Sequence, residues 1–417
     1  MLVGKNALED FVEFGIFLNG YIPGPAAHDT VSEHAALMQE AQYAIHADKH
    51  NWKYAWFGEH HSLAEYSHMS APEVIMGWVA AQTDYIHLAS GINSLSPRKE
   101  HPARLAERAA MLDHVTNRRY EWGTGRGAGS HEMATFNILD PASTKAEWAT
   151  VVREIPRMWA QKDYEYHGEH FTVPTPHNIL PKPYGNSHPP IWVACGNPPT
   201  FAQAGEMGIG AVAFNFEPIY NLQGRIDSYK EGISRCTEPL GDYINNNLMM
   251  TNGVVCLGDR KRAREIALDS RSHYLVTMVN LYHDTMPKSV DATVWPSPPM
   301  SLRDMAGPDP DGFLDMLIAG GFMACGEPGE VAEQISAYQK VGCDQLVFGL
   351  PSGLHPDEVY EMLEVFGQKV IPEFDPDRVH STTRYREGAV SKYQPFNGPV
   401  PDIHVPHLPR GARIPGE

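Results

Sequence analysis

The chain reads as an α/β protein, a (β/α)8 TIM barrel with insertions and an extended C-terminal tail. Three observations carry this. Short apolar runs alternate with helical patterns, as a parallel sheet with crossover helices requires. One of those runs, Ala55-Trp56-Phe57-Gly58, ends abruptly in Glu59-His60-His61, the form of a barrel strand reaching the C-terminal rim where active sites of this fold sit. At 417 residues the chain exceeds a bare barrel of about 250 residues and leaves room for insertions.

The elements follow in order. Residues 12–18 read as the first strand, broken by Asn19-Gly20 and Pro23-Gly24-Pro25. A helix is expected over 30–49, a second strand over 54–59, and a helix over 72–83 opened by Pro72. The third strand is placed at 86–92, the next helix at 102–115 and the fourth strand at 119–124. A helix over 143–161 leads into an aromatic-rich hairpin at 164–173. A proline-rich loop then delivers the fifth strand at 191–195. The sixth, seventh and eighth strands are placed at 210–214, 250–256 and 345–349. Between the last two lies a long segment, 281–321, rich in Pro, Asp, Met and Gly, which reads as a lid beside the rim. The barrel is assigned to residues 1–371. The tail, 372–417, has many prolines and few apolar clusters, so it is expected to wrap another subunit or to be mobile.

Composition narrows the function. A formal charge of -18 disfavours nucleic acid. No apolar run approaches the ~20 residues that span a bilayer, and Met1 to Asp10 lacks the basic start and apolar core of a signal peptide; a cytoplasmic protein with no membrane partner is expected. The five cysteines are odd in number and contain no CxxC pair, so no zinc cluster or disulfide framework is indicated. The 21 histidines raise the question of a metal hydrolase barrel. The first strand, however, carries no His-x-His pair, and no metal site is assigned.

Four stretches can carry chemistry. In Glu59-His60-His61 alternation relaxes at the strand end, so one imidazole can face a pocket as a general base or donor while its neighbour packs sideways; a capping or core histidine is the plain alternative. Gly123-Thr124-Gly125-Arg126-Gly127-Ala128-Gly129 surrounds one guanidinium with backbone that approaches a ligand closely, or is a flexible loop with a solvated arginine. Ala194-Cys195-Gly196-Asn197-Pro198-Pro199-Thr200 joins a strand to a helix N-terminus, either a phosphate cradle or an ordinary connection. Ser90-Gly91-Ile92-Asn93-Ser94 ends the third strand in small residues that admit a planar ring, or it is a polar loop. No GxGxxG opens a helix after a strand, so no nicotinamide site is legible.

Taken in register, these stretches resemble the bacterial luciferase-like flavin monooxygenases over residues 12–370. The resemblance rests on Phe57-Gly58-Glu59-His60-His61, on His101-Pro102-Ala103-Arg104-Leu105-Ala106-Glu107 with Leu112-Asp113, on Gly125-Arg126-Gly127, on Pro189-Pro190-Ile191-Trp192-Val193-Ala194 and on Gly326-Glu327-Pro328-Gly329-Glu330-Val331. It implies a two-component monooxygenase that takes FMNH2 from a separate flavin reductase. With O2 that flavin gives a C4a-peroxyflavin, which oxygenates a small apolar substrate by hydroxylation or Baeyer-Villiger chemistry. It implies His60 as the catalytic proton-transfer group, oriented by Glu59. It places FMN against Gly125, Arg126, Gly196 and Asn197 at the phosphate, and against a non-proline cis peptide at Asn93-Ser94. A homodimer or higher homo-oligomer through barrel helices is implied as well. The strand-five turn departs from the family pattern: Gly196 and two prolines stand where hydroxyl residues are usual, with Thr200 alone nearby. Aromatics at Tyr21 and Tyr66, and Met286, Trp295, Met300 and Met305 in the lid segment, suggest an apolar substrate or simply packing. The alternatives are a deazaflavin (F420)-dependent oxidoreductase on the same barrel and a non-catalytic flavin-binding protein.

Overall fold

The computed structural model describes residues 11–22, 29–63, 67–127, 129–213, 217–270, 301–351 and 353–393. Eight parallel strands close on themselves in the order β1 (Glu13–Leu18), β2 (Tyr54–Phe57), β3 (His87–Ser90), β5 (Tyr120–Gly125), β8 (Ile191–Cys195), β9 (Gly210–Ala213), β10 (Leu248–Cys256) and β12 (Gln345–Gly349). The barrel closes where β12 pairs with β1, Glu13 opposite Gln345 and Phe17 opposite Gly349. The two-residue β4 (Asn93–Ser94) extends β3 along β5, with the pairing slipped by one residue after a cis Gly91–Ile92 peptide. The cis bond therefore lies before Asn93-Ser94, not within it. A Cβ on Gly91 would lie 2.9 Å from the Phe17 ring, so only glycine fits there. The aromatic-rich segment forms the expected antiparallel hairpin, β6 (Tyr164–His167) with β7 (Thr172–His177).

The strands have two packed faces because side chains alternate along them. One set points into the barrel: Phe17, Tyr54, Trp56, Ala89, Trp192, Val212, Met249 and Val347 form a buried interior cluster. The other set, including Phe14, Ile16, Ala55, Phe57 and Leu88, meets the helices in the main core. Those helices are α1 (Thr30–Asp48), α2 (Pro72–Ala80), α3 (Pro102–Val115), α4 (Ser130–Thr135), α5 (Thr144–Ala160), α6 (Pro198–Glu206), α7 (Gln223–Arg235) and α8 (Arg260–Asp269). Their starts follow local chemistry: Asp29 caps α1 by accepting the Ser32 N–H at 2.9 Å, and proline occupies the first turn of α2 and α3. No described helix is long and apolar enough to cross a membrane.

Two expectations are corrected. The part of the lid segment that lies within the described residues is two helices, α9 (Leu302–Ala306) and α10 (Pro310–Ala319), and it is not spread over the rim. Leu302, Leu314 and Met305 pack with Ile266 and Leu268 of α8 into a satellite core. Apolar side chains recur there at helical spacing, and burial against α8 outweighs the segment's loop-like composition. Residues 281–300, with Met286, Trp295 and Met300, lie outside the described residues, as does Tyr66. A further strand, β11 (Met323–Gly326), continues the sheet beside the end of β10. It leads through α11 (Pro328–Val341) into β12, and α12 (Pro356–Lys369) follows.

The second correction concerns the tail. Within the described residues, α13 (Ile371–Phe374) and α14 (Ser381–Glu387) fold back across the N-terminal end of the barrel. Phe374 O accepts the Val12 N–H at 3.3 Å, Ser381 Oγ donates to Glu13 at 2.6 Å, and Thr382 Oγ1 donates to Glu121 at 2.6 Å. Arg386 meets Asp113 through two bonds of 2.7 Å. The segment needs no core of its own because it seals a polar floor that the strands begin with: Glu13, His87, Glu121 and Gln345 are all buried.

Candidate active site

The rim opposite that floor gathers the stretches singled out by sequence. β2 ends at Phe57, two residues earlier than expected, so Glu59 and His60 sit in the turn beyond it, where strand alternation no longer governs them. Both are buried. His60 Nδ1 lies 3.4 Å from Glu132 Oε2, and the other carboxylate oxygen of Glu132 accepts the His61 N–H at 3.0 Å. Glu132 belongs to the first turn of α4, the short helix after the glycine-rich loop. Glu132 thereby links His60 to the helix that follows that loop.

Glu59 does not orient His60. Its carboxylate contacts His61 Nε2 at 3.1 Å, accepts Asn93 Nδ2 at 2.6 Å and pairs with the Lys99 ammonium. Burial alone raises the Glu59 pKa, but Lys99, the His61 ring and Arg108 outweigh it and hold the group down to about 2. An acid so strong is ionised at neutral pH and is no proton shuttle. Asn93 in turn accepts from Tyr120 Oη at 3.3 Å, and Tyr120 Oη lies 2.7 Å from Ser90 Oγ. Asn93 is thus a fixed member of a buried chain that runs from Lys99 to Ser90.

The loop after β5 provides the cradle. Ser94 Oγ is buried with no hydrogen-bond partner among the described residues. A Cβ on Gly127 would lie 3.1 Å from that oxygen and 2.7 Å from the Met133 side chain, and Gly127 has φ +75°. Gly125 faces Ile92, whose Cδ1 would be 2.7 Å from a Cβ there, with Ala194 of β8 at 3.6 Å. The ends of β2, β4, β5 and β8 therefore converge. Arg126 is exposed and forms no ion pair among the described residues. An orphaned buried hydroxyl and an uncommitted cation at neighbouring strand ends fit a ligand with a phosphate and a flat polar ring, because each is costly or idle without one.

The turn before α6 contributes less than the sequence suggested. Asn197 is the N-cap: its side chain accepts the Thr200 N–H, its own N–H goes to Thr200 Oγ1 at 3.3 Å, and that hydroxyl donates back to Asn197 O at 2.7 Å. Pro198 and Pro199 carry no N–H. Of the donors expected here, Gly196 N–H alone is not consumed by the cap. Sequence reasoning missed Glu132, Lys99 and Arg108. Glu132 carried a faint signal, an acid in the first turn of a helix after a glycine run; the two cations carried none.

Fold and site define a parallel barrel enzyme whose rim brings a buried histidine beside a glycine-rich loop. The chain belongs to the luciferase-like monooxygenase family, whose profile matches residues 12–345, and it is an oxidoreductase of that family. It is 23% identical over 340 residues to the flavin-dependent trigonelline monooxygenase, oxygenase component, of Acinetobacter baylyi, covering 81% of this chain and 90% of that one. The oxygenating constituent of 3,6-diketocamphane monooxygenase of Pseudomonas putida, a type II Baeyer-Villiger enzyme solved with FMN, superposes with TM-score 0.70 at 21% identity. That superposition covers 87% of this chain and 99% of that one. An F420-dependent secondary alcohol dehydrogenase superposes with TM-score 0.64 at 16% identity, over 87% of this chain and 98% of that one.

Proposed function

We propose that the protein is the oxygenase component of a two-component system: it receives reduced FMN from a separate flavin reductase and uses O2 to oxygenate a small apolar organic molecule. The observation that carries this reading is the junction of His60 and the glycine loop through Glu132, beside the unpartnered Ser94 hydroxyl. Arg126 would hold the phosphate, with Gly196 N–H, while Ser94 Oγ would meet the ring. Reduced flavin, when bound, supplies the electrons that activate dioxygen. Glu132 fixes Nδ1 of His60, which assigns proton transfer to Nε2. Half-buried Ile92 and Phe136 make the neighbouring surface apolar, consistent with an apolar substrate and with exclusion of water. A homodimer is part of the proposal: Val74 and Trp78 on α2, and Met111 and Val115 on α3, are exposed apolar pairs at i,i+4 spacing on adjacent helices.

Turnover under isotopic dioxygen with FMN and a flavin reductase tests the reading. Label is expected in the product, and NADH with the pure protein alone is expected not to reduce FMN. Unlabelled oxidised product formed with a deazaflavin would instead establish hydride transfer. His60→Ala should bind FMN normally and lose about 10²–10⁴-fold in rate; unchanged turnover would leave a flavin-binding barrel with its chemistry elsewhere.

A further inference from the structure

We propose that His46, His50 and Glu364 form a divalent transition-metal site that clasps the first helix of the barrel to α12, across the seam where β12 closes on β1. His46 lies in the last turn of α1 and His50 in the turn just past its C-cap, Lys49, where the His50 N–H still bonds Ala47 O at 2.9 Å, and α12 packs against α1. Glu364 Oε1 lies 3.0 Å from His46 Nε2 and 3.8 Å from His50 Nε2, and the two imidazole rings are 4.5 Å apart. The three donor atoms all lie within 4.8 Å of one another, and among the described residues no other such trio of His, Cys, Asp or Glu converges. Tetrahedral zinc with bonds of about 2.0–2.1 Å brings its ligand atoms to roughly 3.3 Å apart, inside this spread.

A second observation points the same way. His46 Nε2 is buried and makes no hydrogen bond, although the Glu364 carboxylate is beside it. The pair lies at bonding distance, and a cation between the two would satisfy both. The frame around the trio is rigid. Trp52 Nε1 donates to Leu363 O and Asn51 Nδ2 to Gly367 O, each at 3.0 Å, and the Tyr360 ring packs 4.5 Å from the His46 ring. The side chains stay reachable from solvent, 23% exposed at His46, 18% at His50 and 44% at Glu364. Two imidazoles and a carboxylate are donors that suit Zn²⁺ and its neighbours, with a fourth position left for water. The site lies on the outer helices, so its occupancy does not depend on the flavin reading.

The test uses full-length protein stripped with a chelator and titrated with Zn²⁺ alone by calorimetry, then with Co²⁺ alone by visible spectroscopy. One equivalent of Zn²⁺ is expected, together with the absorption of four-coordinate cobalt. The melting temperature should rise by roughly 3 °C at a hundredfold excess over Kd. Each of His46→Gln, His50→Ala and Glu364→Gln should weaken Zn²⁺ at least tenfold and abolish the cobalt bands. Glu364→Gln keeps the side-chain volume at a half-exposed position, and its circular dichroism should match the parent. Absence of saturable binding, or binding that all three variants retain, overturns the proposal; the second result would place the metal among the other histidines.

Discussion

Glu59 shows how a side chain that looks catalytic in sequence can be committed to structural contacts in the fold. It sits next to His60 in sequence, yet its carboxylate is spent on Lys99, His61 and Asn93. Side chains of Lys99 and Glu59 are 8% and 4% exposed, so removing one charge strands the other in a poorly solvated place. Glu59→Gln is expected to cost about 3–5 kcal/mol of stability, read as a lowered denaturant midpoint, while the proton inventory of turnover stays that of His60. A pH–rate profile that lost an ionisation in this variant would return Glu59 to acid–base duty. His60 was singled out in sequence by its place after an apolar run at a strand end, with its role implied by the family resemblance. Glu132 was nearly invisible, since an acid in a first helical turn is ordinary.

Among the elements, the C-terminal helix α14 departs most from its sequence appearance. A proline-rich stretch with few apolar residues reads as a tail, but its polar side chains match a polar floor. Arg386 and Asp113, 3% and 0% exposed, are the firmest link. Arg386→Ala should destabilise the barrel by about 3–5 kcal/mol, measurable by urea unfolding; an unchanged midpoint would mean that the floor closes without the segment. His380 stacks on His87 with ring centroids 3.7 Å apart. Burial holds His380 down to about 3 from its ordinary 6.5, with Glu13 pulling upward and Lys53 downward. A depressed folded-state value means that its contribution is present above pH 6.5 and lost as pH falls toward 3. Burial pushes Glu121 up to about 8, against its bonds from Thr382 and Trp192. That contribution is present below the ordinary 4.5 and lost as pH rises through about 8. Melting temperature against pH should therefore be level between about 4.5 and 6.5, where the two contributions oppose each other, and fall on either side of that window; His380→Asn should flatten the acid limb and leave the fall between 6.5 and 8. An acid limb as steep as the parent's would show that other groups control it.

For the whole molecule, the exposed pairs on α2 and α3 leave an apolar face that a lone barrel does not cover. Trp78→Glu should convert the proposed dimer to monomer in light scattering, with the fold intact by circular dichroism; a parent already monomeric at micromolar concentration would remove that face from consideration. The order and type of the barrel elements were determined by the sequence alone, because period-two and period-3.6 apolar patterns, prolines at helix starts and glycines at turns act over a few residues. So was the presence of His60, the glycine-rich loop and Arg126 near strand ends. Which side chains meet was decided only by closure of the barrel. Lys99 reaches Glu59 across 40 residues, Glu132 reaches His60 across 72, and Arg386 reaches Asp113 across 273. Local preference carries no term for such pairs. They form because curling eight strands into a ring brings distant strand ends together, and burial there favours the arrangement that pairs charges and donors with partners within reach.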